Sequence, residues 1–221
     1  MTPTELQEWL NAHGAALVVD GRPGPATRAA IVAAFTNRNA AAVNDDDIGA
    51  LATRLGCSPR QIRAVAKVES GGGGFDNLGR PKILFERHYF HRLTQGKWSV
   101  APFSNRIGGG YSEGSWDKLT AAACKDADAA FASASWGKFQ VMGAHWSALK
   151  YPSPIDMAHS TVTGEAAHYD MLARYIEAFG LKSKLSDIST NPDDCRAFAR
   201  SYNGAGYEKF DYHAKIARAM T

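Results

Sequence analysis

In the stretch Ser58-Pro59-Arg60-Gln61-Ile62-Arg63-Ala64-Val65-Ala66-Lys67-Val68-Glu69-Ser70-Gly71, every local signal is helical. Ser58 with Gln61 three residues on is a capping box, and Pro59 suits the first helical turn. Ile62, Val65 and Ala66 recur on one face, and the next position on that face is Glu69. Gly71 to Gly74 end the helix directly afterwards. A carboxylate at the inner end of an apolar stripe is poorly hydrated, so its pKa rises, and the partly negative carbonyl end of the helix pushes the same way. A glutamic acid protonated near neutral pH can act as a general acid, for example at a leaving glycosidic oxygen. The plainer alternative is a last-turn glutamate that bends out to water.

Two later segments bear on that choice. Ser133-Ala134-Ser135-Trp136-Gly137-Lys138-Phe139-Gln140-Val141-Met142-Gly143 is rich in small and aromatic residues. Ala199-Arg200-Ser201-Tyr202-Asn203-Gly204-Ala205-Gly206 closes a helix that Asn191 caps and Pro192 starts. Cys195, Phe198, Ala199 and Tyr202 form the stripe of that helix. Tyr202 therefore repeats the Glu69 pattern, a polar tip at the inner end followed by a glycine stop.

Further out, helices are expected near 59–69, 163–179, 192–202 and 207–219. Residues 71–118 are Gly-rich and irregular, with one apolar run, Lys82 to Phe85, that suits a small hairpin or sheet. At the start, Thr2, Pro3 and Glu5 cap a helix carrying Leu6, Trp9, Leu10 and His13, and a second helix runs from near Pro25 through Phe35. Asn37 to Asp47 reads as a linker, and Ile48, Leu51, Ala52 and Leu55 open the main domain. The expected division is a short module over 1–40 and a main domain over 41–221.

Composition narrows the function classes. The chain has 221 residues, 45% hydrophobic and 21% charged, enough for a sizeable core without a disordered tract. The net charge of +3 comes with no Lys/Arg cluster, so nucleic acid is not an expected partner. No run approaches a membrane span of about 20 apolar residues. The start of the chain lacks the pattern of an export signal, so synthesis in a cytoplasm is expected. Cys57, Cys124 and Cys195 are odd in number and widely spaced, which suits free thiols. His88 and His91 are three apart, but H-x-x-H without further ligands is a poor zinc signature, and no metal or cofactor is expected.

Taken in order, E-S, then S-x-G-x-F-Q-x-M, then S-Y-N-G-A-G resembles the lysozyme-like superfamily of goose-type lysozymes and soluble lytic transglycosylases. Val68-Glu69-Ser70, Gly79-Arg80-Pro81-Lys82-Ile83-Leu84-Phe85-Glu86-Arg87-His88 and the Trp136 segment are similar to phage endolysins of the N-acetylmuramidase family. The first 40 residues, through Asp20-Gly21-Arg22-Pro23-Gly24-Pro25-Ala26-Thr27-Arg28, resemble a peptidoglycan-binding repeat, here a short copy; a two-helix extension packed on the main domain is the alternative. The resemblance implies a mainly α, lysozyme-like helical domain with a small β-hairpin or irregular region, preceded by the short helical module.

The resemblance also implies the activity: cleavage of peptidoglycan glycan strands with Glu69 as the acid. Glu86 is the candidate second carboxylate and Asp76 its rival; a salt bridge from Glu86 to Arg87 or Arg80 is the structural alternative. Carboxyl groups about 6.5–9.5 Å apart suit inversion through a water, and about 5–5.5 Å a covalent intermediate. Ser70, Trp136, Gln140, Tyr202 and Asn203 are expected to bind sugar or orient the acid. Competing readings are a lytic transglycosylase, a non-catalytic wall-binding protein, and a zinc peptidase or amidase. A monomer that depends on a holin-type partner to reach the wall is expected.

Overall fold

The computed structural model describes residues 1–70, 72–98, 101–111 and 114–221; Gly71, read above as part of the helix stop, lies outside them. Helices dominate: α1 (Pro3–Ala12), α2 (Pro25–Ala34), α3 (Asp45–Leu55), α4 (Pro59–Glu69), α5 (Arg87–Leu93), α6 (Ser115–Ala123), α7 (Ala127–Ala132), α8 (Pro154–Ser160), α9 (Glu165–Ala178), α10 (Lys182–Ser186), α11 (Pro192–Asn203) and α12 (Tyr212–Ala219). A small antiparallel sheet, in the order β1 (Ile83–Phe85), β2 (Ala134–Trp136), β3 (Val141–Met142), completes a mainly α fold of the expected class. No described helix is long and apolar enough to cross a membrane.

The helix that decided the reading forms as its caps dictate. Ser58 Oγ accepts from the Gln61 N–H at 3.3 Å and Gln61 Oε1 accepts from the Ser58 N–H at 2.8 Å. Ile62 and Val65 are fully buried. In α11, Asn191 caps, Pro192 starts the helix, and Cys195, Phe198 and Ala199 are fully buried. α12 packs against both α4 and α11, so the ends of the two predicted stripes meet.

Two expectations shift. The last helix begins at Tyr212 rather than near 207: Gly204 (φ 79°) ends α11, Asp211 (φ 54°) stands left-handed, and turns between them reverse the chain. The stretch 71–118 also holds a helix, α5, started by Glu86 at its N-cap. The apolar run Lys82–Phe85 finds its sheet partner about fifty residues away, in register Ile83 with Trp136, Leu84 with Ser135 and Phe85 with Ala134.

The core is continuous. Leu6, Leu10, Ile31 and Phe35 of the first 40 residues are fully buried in the same cluster as α4, α7 and α11. Phe35 sits among Phe131, Trp136 and Trp116 at ring separations of 5.4, 5.6 and 5.7 Å. Trp9 Nε1 donates to Asp156 at 3.2 Å, and the Asn37 side-chain amide donates to the Val162 carbonyl at 2.8 Å.

Candidate active site

Glu69 is the last residue of α4, and the next residue, Ser70, caps it, its hydroxyl spent on the Ala66 carbonyl at 2.5 Å. From α11, 134 positions away, Asn203 Nδ2 donates to Glu69 Oε2 at 2.9 Å. Glu69 Oε1 is buried with no hydrogen-bond partner among the described residues. Burial pushes the Glu69 carboxyl up to about 7, against weaker downward pulls from the Asn203 amide and the Lys215 ammonium. Near neutrality this group is therefore poised between acid and carboxylate. The Tyr202 hydroxyl is held well above its ordinary range, first by burial and then by the neighbouring Glu69 charge, so it stays protonated. Its ring packs on Phe198 and Tyr175. Tyr212 is also raised, by burial and by Glu69. Neither Tyr212 nor Lys215 was singled out from the sequence. The α12 stripe His213, Ile216, Ala217 shows the buried face, but nothing in it marks the flank that meets Glu69.

A cleft of about 650 Å³ runs along the sheet, with Gly73, Asp76, Lys82, Leu84, Tyr111 and Gln140 on its walls. Neither Glu69 nor Glu86 is among the wall residues, but Gly73 follows Glu69 by four positions and Tyr111 is bonded to Glu86. Lys82, Ile83 and Leu84 line the cleft at and just before β1, and Phe85 is fully buried in the core. Glu86 Oε2 accepts from the Tyr111 hydroxyl at 2.8 Å and lies 3.2 Å from His88 Nδ1. The expected alternative partners are occupied elsewhere, Arg87 by the Gly109 carbonyl and Arg80 by Asp76. Asp76 is committed to its own loop, accepting from the N–H groups of Leu78 and Arg80 and from the Arg80 guanidinium.

Gln140 stands at the tip of the β2–β3 turn with φ 50°. Its side chain braces the wall: Nε2 donates to the Gly137 carbonyl at 2.8 Å and the Lys82 carbonyl at 3.2 Å, and Oε1 accepts from Ser135 Oγ at 2.7 Å. Gly137 is required there. Its φ is +68°, and a Cβ would lie 2.7 Å from His168 Nδ1. His168, also unremarked in the sequence, is buried; its Nδ1 accepts the Lys138 N–H at 2.9 Å and its Nε2 faces the Thr161 carbonyl at 2.7 Å. Burial lowers its pKa, which keeps the ring neutral and able to accept.

Trp136 departs from expectation. It is 1% exposed, its Nε1 donates to the Phe131 carbonyl at 3.1 Å, and Phe35, Trp116 and Phe131 cover its ring, so no face is open to a sugar. The reason is alternation: Trp136 shares its strand face with Ala134, which is core, while Ser135 between them faces Gln140. His88 and His91 lie on α5, and no group of three or more His, Cys, Asp or Glu among the described residues is placed to hold a metal ion.

Comparison with known proteins places the whole chain rather than its individual site residues. The muramidase family model, described as N-acetylmuramidase, matches residues 58–221. Among solved structures, the crystal structure of the Burkholderia AP3 phage endolysin is similar, with a TM-score of 0.74 and 30% identity over 100% of this chain and 94% of that one. No curated protein matches.

Proposed function

The chain belongs to the N-acetylmuramidase family; it is a peptidoglycan glycosidase of the endolysin type, and we propose that it hydrolyses the β-1,4 bond between N-acetylmuramic acid and N-acetylglucosamine with Glu69 as general acid. The observation that carries this is the Glu69 carboxyl, pushed to about 7 by burial while Asn203 fixes one of its oxygens. Protonated Glu69 gives its proton to the bridging oxygen as the glycosidic C–O bond breaks. A water attacks the anomeric carbon, and Glu86 takes the proton that water loses. Among the described residues both Glu86 side-chain contacts fall on Oε2, and Oε1 is the oxygen assigned to the water. Asn203 orients the acid, Tyr202 encloses it, and Ser70 and Gln140 shape the approach.

A lytic transglycosylase is the second reading. It is favoured by one fact: Asp76 is committed to Arg80 and Glu86 to Tyr111, whereas Glu69 alone suffices when the muramyl 6-hydroxyl is the nucleophile. The experiment is digestion of purified sacculi by wild type and Glu69→Gln, read by turbidity and mass spectrometry. Loss of about 10²–10⁴-fold in rate is expected for the variant, with hydrated reducing ends from the wild type. Wild-type rates in the variant overturn the assignment of the acid, and ends lighter by one water replace hydrolysis with transglycosylation.

The same reading makes residues 1–40 a contributor to wall binding, supported by the groove of about 430 Å³ between His13–Leu17 and α2. The enzyme then acts as a monomer, is made in the host cytoplasm, and meets the wall after a holin-type partner opens the membrane.

A further inference from the structure

Lys82 belongs to the Gly79–His88 segment, yet nothing above gives its side chain a role. It stands on the cleft wall beside Leu84. The charges around it are already matched: Lys138 pairs with Glu165 at 3.2 Å and Asp76 with Arg80 at 2.8 Å. Lys82 makes no ion pair among the described residues. Its backbone is held on three sides, its N–H donating to the Gly74 carbonyl at 2.9 Å and its carbonyl accepting from the Gly137 N–H at 2.8 Å and from Gln140 Nε2 at 3.2 Å. Its Nζ lies 3.9 Å from where a Cβ on Gly72 would stand, so it overhangs the loop that follows Glu69. Glu86, the N-cap of α5, follows four residues on, across β1.

We propose that Lys82 is a specificity residue that pairs with a carboxylate carried on the lactyl arm of a muramyl residue in the cleft. This rests on the glycosidase reading above. Chitin-type strands carry no carboxylate, while the muramyl arm ends either in a free lactyl carboxylate or in a peptide stem with carboxylates of its own. An ammonium on an otherwise charge-matched wall, carried on a backbone held on three sides, distinguishes the two strand types through a charge-assisted hydrogen bond, an interaction that costs about tenfold in affinity when removed.

The test compares wild type, Lys82→Met and Lys82→Arg on three soluble strands: stem-bearing, amidase-stripped with free lactyl carboxylates, and stem-bearing with every carboxylate amidated. Each strand is assayed as substrate and as competitor of stem-bearing turnover, so that a strand too poor to be cut still yields a constant. Lys82→Met is expected to raise KM about tenfold on stem-bearing strands with a smaller change in kcat, and Lys82→Arg to restore most of it. On amidated strands wild type and Lys82→Met are expected to coincide. A matching loss on stripped strands shows that Lys82 accepts the free lactyl carboxylate as well as those of the stem, and none there confines the pairing to the stem. Equal KM for wild type and Lys82→Met on stem-bearing strands, or an equal rise on amidated ones, overturns the proposal. Failure of the underlying reading shows separately, as full activity in Glu69→Gln.

Discussion

At the scale of one residue, Glu69 exchanges stability for chemistry. Its folded-state pKa, raised from 4.5 to about 7, means that the folded protein binds this proton more tightly than the unfolded chain does. The resulting stabilisation is complete below about pH 4.5 and is lost as pH rises through about 7. Above that, the wild type carries a buried charge that glutamine does not. Glu69→Gln is therefore expected to melt above wild type at pH 8, by up to about 3 kcal/mol of unfolding free energy, and to match it near pH 4. Calorimetry at both values checks this; equal melting at pH 8 would place the carboxyl in water. Lys215 supplies a second single-residue test. Its charge pulls the Glu69 pKa down, so Lys215→Met is expected to move the alkaline limb of the kcat/KM profile to higher pH. A limb that stays in place would show that another group governs it.

At the scale of elements, the site is a meeting of α4, α11 and α12 on one side and the β1–β2–β3 wall on the other. Each α4 and α11 boundary followed from caps and stripes, because i to i+3 and i+4 geometry is local. The β1 run was also legible as extended chain, but its partner strand was not, since pairing across about fifty residues leaves no local trace. The wall depends on the turn at Gly137. Alanine there meets both the left-handed φ of +68° and a contact 2.7 Å from His168 Nδ1, so Gly137→Ala is expected to cost about 1–3 kcal/mol and to lower kcat/KM by displacing Gln140. Thermal melting and turnover measured together check it; a variant of wild-type stability would mean the turn has room to relax. Trp136 illustrates the limit of reading motifs. The Ala-Ser-Trp alternation already places Trp136 with Ala134, but only the contacts, Ser135 to Gln140 and Trp136 to Phe35 and Phe131, show which face is which.

At the scale of the whole molecule, the first two helices are built into the same core as the rest. Phe35, fully buried, joins α2 to Phe131 and Trp136 beneath the sheet. Phe35→Ala is expected to destabilise the entire fold by about 3–5 kcal/mol, a drop of roughly 10 °C in Tm, in one cooperative transition. Two separate transitions, with the main one unmoved, would show that residues 1–40 fold apart from residues 41–221.

By itself the sequence determined α1 to α4, α9 and α11, the caps of α4 and α11, and the position of a glutamate at the end of the α4 apolar stripe, since these follow from spacing within one or two turns. Membership of the muramidase family was legible in the same motifs. Only the tertiary structure decided which groups surround that glutamate and which acids are already engaged: Asn203 and Lys215 reach Glu69, Arg80 takes Asp76, and Tyr111 holds Glu86. Electrostatic partners depend on distances through space between segments far apart in the chain, and side-chain spacing along one helix or strand carries no record of them.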